Sequence, residues 1–193
     1  MERAGQLGAL EEAHRTVEAG RGGVLVLLGG EAGGGKTALV RHFRERCRAR
    51  RPVLWGACDP LYTPRPLGPF LEMDELIGLG AKSYELATGI IRDVRERPGL
   101  VLVLEDLHWA DEATLDVLSL LGRRIGTIPA LVIATYRSDE VGRGHPLRRL
   151  LGELQGAAIR RLTVTSAGSG GPASKNRRSR STRAYFPASI PPR

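Results

Sequence analysis

The sequence predicts a three-layer α/β domain, with helices on both faces of a mostly parallel, five-stranded sheet. Three observations carry this prediction. Short apolar runs alternate with stretches of helical periodicity over most of the chain, the order that gives parallel strands joined by helical crossovers. The runs at residues 24–28 and 100–104 contain no polar residue, which suits strands covered on both faces. Between the first run and the next helical pattern, five of the seven residues 29–35 are glycine, which frees the backbone for a tight strand-to-helix loop.

Taken in order, Leu7, Leu10, His14 and Val17 recur at helical spacing and predict an amphipathic helix over about residues 4–19, ended by Gly20-Arg21-Gly22-Gly23. The apolar run 24–28 is the first strand, and a helix runs from Lys36 to about Ala49. Residues 52–58 read as the second strand and 60–69 as a proline-rich loop, followed by helices at about 70–77 and 83–95. The third strand, 100–105, is the cleanest in the sequence. Asp111 caps a helix reaching about Arg124, residues 130–135 form the fourth strand, 147–154 a further helix, and 159–164 the last strand. After Ser166 the pattern stops. Of residues 167–193, 21 are Ala, Gly, Pro, Arg or Ser, too little apolar surface to offset the entropy of ordering, so a domain over 1–166 and a disordered tail over 167–193 are expected.

Composition narrows the class of function. The longest apolar runs are five residues, far short of the roughly 20 that cross a bilayer, and Met1-Glu2-Arg3 does not open a signal peptide. A cytoplasmic protein without membrane contact is expected. Cys47 and Cys58 give neither a disulfide framework nor a metal-ligand spacing. The chain has 29 basic and 21 acidic residues, but six of the basic ones, and no acid, lie in 167–193. The body is nearly neutral, and the basic character belongs to the tail.

Gly30, Glu31, Ala32, Gly33, Gly34, Gly35, Lys36 and Thr37 keep the spacing of a phosphate-binding loop, glycine, four residues, then Gly-Lys-Thr. A loop that wraps a polyphosphate must turn its N–H groups inward, and glycines permit the dihedrals and the close approach. The helix after it points its positive end at the same anion. Lys36 supplies a mobile charge for the terminal phosphates, and the Thr37 hydroxyl can ligate magnesium. The third strand ends in Glu105 and Asp106, the form of a Walker B element. One carboxylate can hold magnesium or its waters while the other orients or deprotonates an attacking water. By position Glu105 is the metal-side acid and Asp106 the water-activating one, though a one-residue shift would reverse them. ATP and Mg2+ are the expected ligands.

The stretch Leu104-Glu105-Asp106-Leu107-His108-Trp109-Ala110-Asp111, followed by Glu112-Ala113-Thr114-Leu115, resembles the Walker B region of AAA-type (STAND) signal-transduction ATPases. Such domains stand at the N-terminal side of large LuxR-type bacterial transcription regulators. Leu54-Trp55-Gly56-Ala57-Cys58-Asp59, Arg65-Pro66-Leu67-Gly68-Pro69 and Ala134-Thr135-Tyr136-Arg137 with its following Asp139-Glu140 are similar to further stretches of the same family, in the same order, so the resemblance covers about residues 3–164. It implies a P-loop ATPase core that works as a nucleotide switch, with self-association through that core. It also implies that Arg137, placed just beyond the fourth strand, reads the terminal phosphate. His108 and Trp109 match the family motif, and a buried packing pair is expected there. The family's opening Gly-Arg-Glu stands here as Glu2-Arg3-Ala4, and neither a helical lid nor a helix-turn-helix follows the last strand.

The expected activity is ATP binding with slow or no hydrolysis by the chain alone. Two other readings are an incomplete or frame-shifted product that binds nucleotide without regulatory output, and a non-specific nucleic-acid binder acting through the basic tail. No element that would read base edges is visible.

Overall fold

The computed structural model describes residues 2–47, 49, 53–73, 76 and 82–165. The tail expected over 167–193 lies outside the described residues, as does most of the second half of the helix expected over 70–77. Five strands, β1 (Val24–Gly30), β2 (Val53–Ala57), β3 (Leu100–Glu105), β4 (Ala130–Arg137) and β5 (Ile159–Val164), form one sheet in the order β2-β3-β4-β1-β5. Every pairing is parallel. The helices are α1 (Glu2–Glu18), α2 (Lys36–Arg46), α3 (Gly68–Leu71), α4 (Ser83–Glu96), α5 (Glu112–Arg124) and α6 (Pro146–Glu153).

The strand alternation assigns the two faces. Leu25, Leu27, Leu100, Leu102, Leu104, Val132 and Ala134 pack with α4, α5 and α6 in one buried cluster. Val24, Val26, Leu28, Val101, Val103, Leu131 and Ile133 pack with α1 and α2 in the other. All of β1 and β3 is buried, because successive residues point to opposite faces and both faces are roofed. The three layers expected from the strand–helix alternation are therefore present, with a wholly parallel sheet.

Element ends differ in instructive ways. β1 continues through Gly29 and Gly30, because a glycine can lie against a neighbouring backbone where a side chain cannot. A Cβ at Gly30 would collide with the Val164 carbonyl oxygen of the paired β5. β4 runs two residues further than expected, so Arg137 is its last residue rather than a residue beyond it. Polar Thr135 and Tyr136 look like a strand end in sequence, yet they pair in register with Leu28 and Gly29. The helix expected from residue 70 is only the short α3 in the described residues, opened by Leu67 in the left-handed region at φ 59°. Asp111 caps α5 as expected, accepting from the Thr114 N–H at 3.2 Å. Its other oxygen accepts from the Leu67 N–H at 3.3 Å, which ties the proline-rich loop to the top of the sheet.

Candidate nucleotide site

The order of the strands sets the geometry of the site. β1 delivers the glycine loop and β3 delivers the acids, and β4 lies between them. Ligand-binding clefts of open parallel sheets lie beyond the carboxyl ends of the strands. There Gly33, Gly35, Lys36, Thr37, Asp106 and Arg137 line one open cleft of about 660 Å3. Residues far apart in sequence thus converge on one space.

The loop is shaped by its glycines. Gly33 and Gly35 adopt φ values of 69° and 85°, where an L side chain is strained. Gly35 precedes α2, which begins at Lys36 with no side-chain cap and no acid in its first turn. The free N–H groups of that turn carry the positive end of the helix dipole toward the cleft. Lys36 is buried and donates from Nζ to the Gly30 oxygen at 2.9 Å and the Glu31 oxygen at 2.8 Å. Burial pushes its pKa down, and the Asp106 charge opposes that shift. Glu31 and Ala32 expose their side chains; Glu31 contributes its carbonyl oxygen, which also accepts from the Gly34 N–H at 3.2 Å. From α1, Arg3 Nη2 reaches the Gly34 oxygen at 3.5 Å.

The two acids have different surroundings. Glu105 ends β3 and is buried. Its Oε2 accepts from the Trp55 indole N–H at 3.1 Å, while Oε1 has no hydrogen-bond partner. Burial raises its pKa, and the neighbouring Thr37 hydroxyl is the largest influence in the other direction. A buried, half-satisfied carboxyl beside a threonine hydroxyl is a donor set of the hard-oxygen kind that magnesium takes. Asp106 instead faces the cleft. Its backbone is left-handed, φ 57°, and its N–H donates to the buried Thr135 hydroxyl at 3.1 Å. The reversal at Asp106 turns its side chain away from the strand direction and starts a 3-10 turn, Leu107–Trp109.

Arg137 lines the same cleft as Lys36. Its Nη1 donates to Glu140 Oε1 at 2.5 Å, and its guanidinium carbon stands 5.1 Å from the centre of the Trp109 ring. His108 is buried and packs on Trp109 with ring centres 4.4 Å apart. It is the buried packing residue expected: its nitrogens stand 3.9 Å from Asp106 and 3.6 Å from Glu140 and neither makes a hydrogen bond. Burial lowers its pKa against the pull of those two carboxylates.

Four residues of the quoted family stretches contribute in ways the sequence did not assign: Trp55, Thr135, Glu140 and Arg3 with its approach to the loop. In the observed parallel register Trp55 pairs with Val103 and Ala57 with Glu105. Trp55 and Glu105 therefore share a face on adjacent strands. Glu140 carries no periodic signal, because it follows a turn whose path the sequence pattern does not set.

A family model for the AAA ATPase domain matches residues 1–81, a span that includes the glycine loop. An uncharacterized protein of Rhizobium meliloti (strain 1021) is 26% identical over 205 residues, covering 77% of this chain and 20% of its own length. The chain thus spans about a fifth of the curated relative it matches. Among solved structures, a chain of Drosophila ORC bound to DNA is similar with a TM-score of 0.52 and 18% identity, over 83% of this chain and 94% of that one. A chain of Drosophila ORC bound to AT-rich DNA and Cdc6 gives 0.53 and 20%, over 86% and 59%. At these identities the likeness is one of fold alone, a three-layer α/β fold with a parallel five-stranded sheet. Among the described residues no helix is long and apolar enough to cross a membrane.

Proposed function

We propose that the chain binds ATP with magnesium at the 30–37 loop and serves as the nucleotide-responsive core of a regulatory ATPase. The observation that supports this best is the convergence of the uncapped α2 terminus, Lys36, Thr37, Asp106 and Arg137 on one cleft. The loop N–H groups and the α2 dipole take the phosphate charge. Lys36 exchanges its two carbonyl partners for phosphate oxygens. Thr37 and Glu105 hold the divalent cation, which supplies neutralisation of the triphosphate charge when bound. Asp106 faces the cleft through its left-handed backbone and orients or deprotonates the attacking water. Arg137 meets the terminal phosphate from the end of β4. Turnover by the chain alone is slow, since the open cleft does not exclude water.

The finer reading is a switch in a LuxR-type transcription regulator or related signalling protein, with self-association through the ATPase core. It rests on the Walker B stretch from Leu104 to Leu115 and the three accompanying motifs. The test of the nucleotide reading is a titration with a fluorescent ATP analogue in magnesium. Lys36→Ala removes two charge-assisted donors from the bound phosphates and also the contacts they make with the Gly30 and Glu31 oxygens. The net loss is about 2 kcal/mol, or roughly 30-fold in affinity. Equal affinity of wild type and variant would sink the reading.

A further inference from the structure

Trp55 and Glu105 both stand behind the residues that line the cleft, and the Trp55 indole N–H donates to the Glu105 carboxyl. Its ring is half-buried on the α2 side of the sheet, and the Arg44 guanidinium carbon of α2 stands 5.1 Å from the ring centre. The ring is thus held between the sheet and a cation, with its N–H directed to Oε2 at 3.1 Å. Oε1 is left buried without a hydrogen-bond partner, and the Thr37 hydroxyl neighbours the same carboxyl.

We infer that Trp55 is the positioning residue of the metal-side carboxylate: its indole N–H fixes Oε2 of Glu105 and thereby reserves Oε1 for the divalent cation. The inference rests on the magnesium–ATP reading of the site. A glutamate at a strand end has several side-chain rotamers, and a donor fixed to one oxygen selects among them before the ligand arrives. The chemistry of the donor matters. An indole N–H donates only and carries no charge, so it holds the carboxylate without competing with the cation for it. A lysine or arginine at the same place would neutralise Glu105 and weaken the very charge the cation needs. Here the arginine is kept on the face of the ring, where the attraction is cation–π, and not on the carboxylate.

The experiment uses the full chain and Trp55→Phe, which keeps an aromatic ring under Arg44 and removes the N–H. Affinity for a fluorescent ATP analogue is measured across a magnesium series and in EDTA. The magnesium concentration for half-maximal tightening should rise by about tenfold, in line with loss of an outer-sphere partner, while the affinity in EDTA stays at the wild-type value. A merely structural role would weaken both alike, and that result overturns the inference, as does an unchanged magnesium requirement. A wild type whose ATP affinity ignores magnesium would instead remove the metal reading on which the inference stands. The wild type itself supplies a second readout should Trp55→Phe fold poorly. The chain has two tryptophans, so two indole N–H signals are expected in a nitrogen–proton spectrum, assigned with Trp109→Phe. The Trp55 signal should move when magnesium replaces EDTA in the ATP-bound protein; a signal that stays in place refutes the proposal.

Discussion

Replacing Glu105 with glutamine should make the free protein more stable while weakening its response to magnesium. The residue is 5% exposed, one oxygen is held by the Trp55 N–H, and the other has no partner. Burial raises the pKa; the Thr37 hydroxyl, the indole N–H and the Arg41 charge oppose the rise, and the Asp106 charge adds to it. An acid whose pKa is higher in the folded than in the unfolded chain binds its proton more readily when folded. Stability therefore falls as pH rises from the ordinary glutamate range through the raised value, and stays at the lower level above it. Glutamine cannot take the charge, keeps an oxygen for the Trp55 N–H and has almost the same volume. A buried polar group left unpaired costs about 1–3 kcal/mol. With the Trp55 N–H already offsetting part of the cost of burying the carboxylate, a net gain of about 1 kcal/mol is expected, roughly 2–4 °C in the melting midpoint for a domain of this size. Thermal unfolding followed by circular dichroism in EDTA, without nucleotide, measures it. The variant should melt higher near neutral pH, and its advantage should shrink as the pH falls toward the ordinary glutamate range and the wild-type carboxyl takes up its proton. A variant that melts lower, or an advantage that is the same at both ends of that range, would refute the reasoning.

Two further substitutions separate roles around the same cleft. Asp106 sits at φ 57°, a region that asparagine tolerates and alanine does not, so Asp106→Asn should melt within about 0.5 kcal/mol of wild type, keep ATP binding and lose most of any phosphate release, whereas Asp106→Ala should cost a further ~1–2 kcal/mol of stability. Melting curves and a phosphate-release assay check both, and loss of nucleotide binding in Asp106→Asn would contradict the assigned role. Glu140 holds Arg137 through its Oε1, so Glu140→Gln should release the guanidinium and tighten ATP by about two- to fivefold while leaving ADP unchanged. Competition titrations with the two nucleotides decide it, and equal tightening for ADP or weaker ATP binding would count against the latch.

The fold was legible because its signals are local and repeated. The unbroken apolar runs of β1 and β3 state burial on both faces, and both strands are wholly buried. Asp111 announces the start of α5 because a capping side chain acts on the N–H three residues on. The ends of elements were less legible wherever a polar or glycine residue is in fact paired, as with Gly29, Gly30, Thr135 and Tyr136. Within the candidate site, the loop and the acids follow from spacing along the chain, but the difference between the two acids does not. Asp106 differs from Glu105 because its backbone reverses into the left-handed region, held by a hydroxyl from β4. That contact depends on which strand lies beside β3, and the sequence pattern fixes the strands without fixing their order.

Three of the cations around the cleft are engaged by the chain's own oxygens. Lys36 is bonded to Gly30 and Glu31, Arg137 to Glu140, and Arg3 reaches Gly34. Under the proposed reading, binding is therefore an exchange of partners rather than the capture of an anion by waiting charges, and each exchange subtracts from the gross attraction. The three exchanges are not equivalent. Lys36 gives up neutral carbonyls of its own loop, which α2 and β1 hold in place, so its exchange accompanies any nucleotide with phosphates in the loop. Arg137 gives up a carboxylate that itself neighbours His108, whose other side faces Asp106. Moving Arg137 onto a terminal phosphate leaves Glu140 without its guanidinium partner beside a buried imidazole. The terminal phosphate is thus the part of the ligand that would part Arg137 from Glu140. A nucleotide lacking it would fill the loop and leave that pair as it stands, which is the kind of difference a nucleotide switch requires.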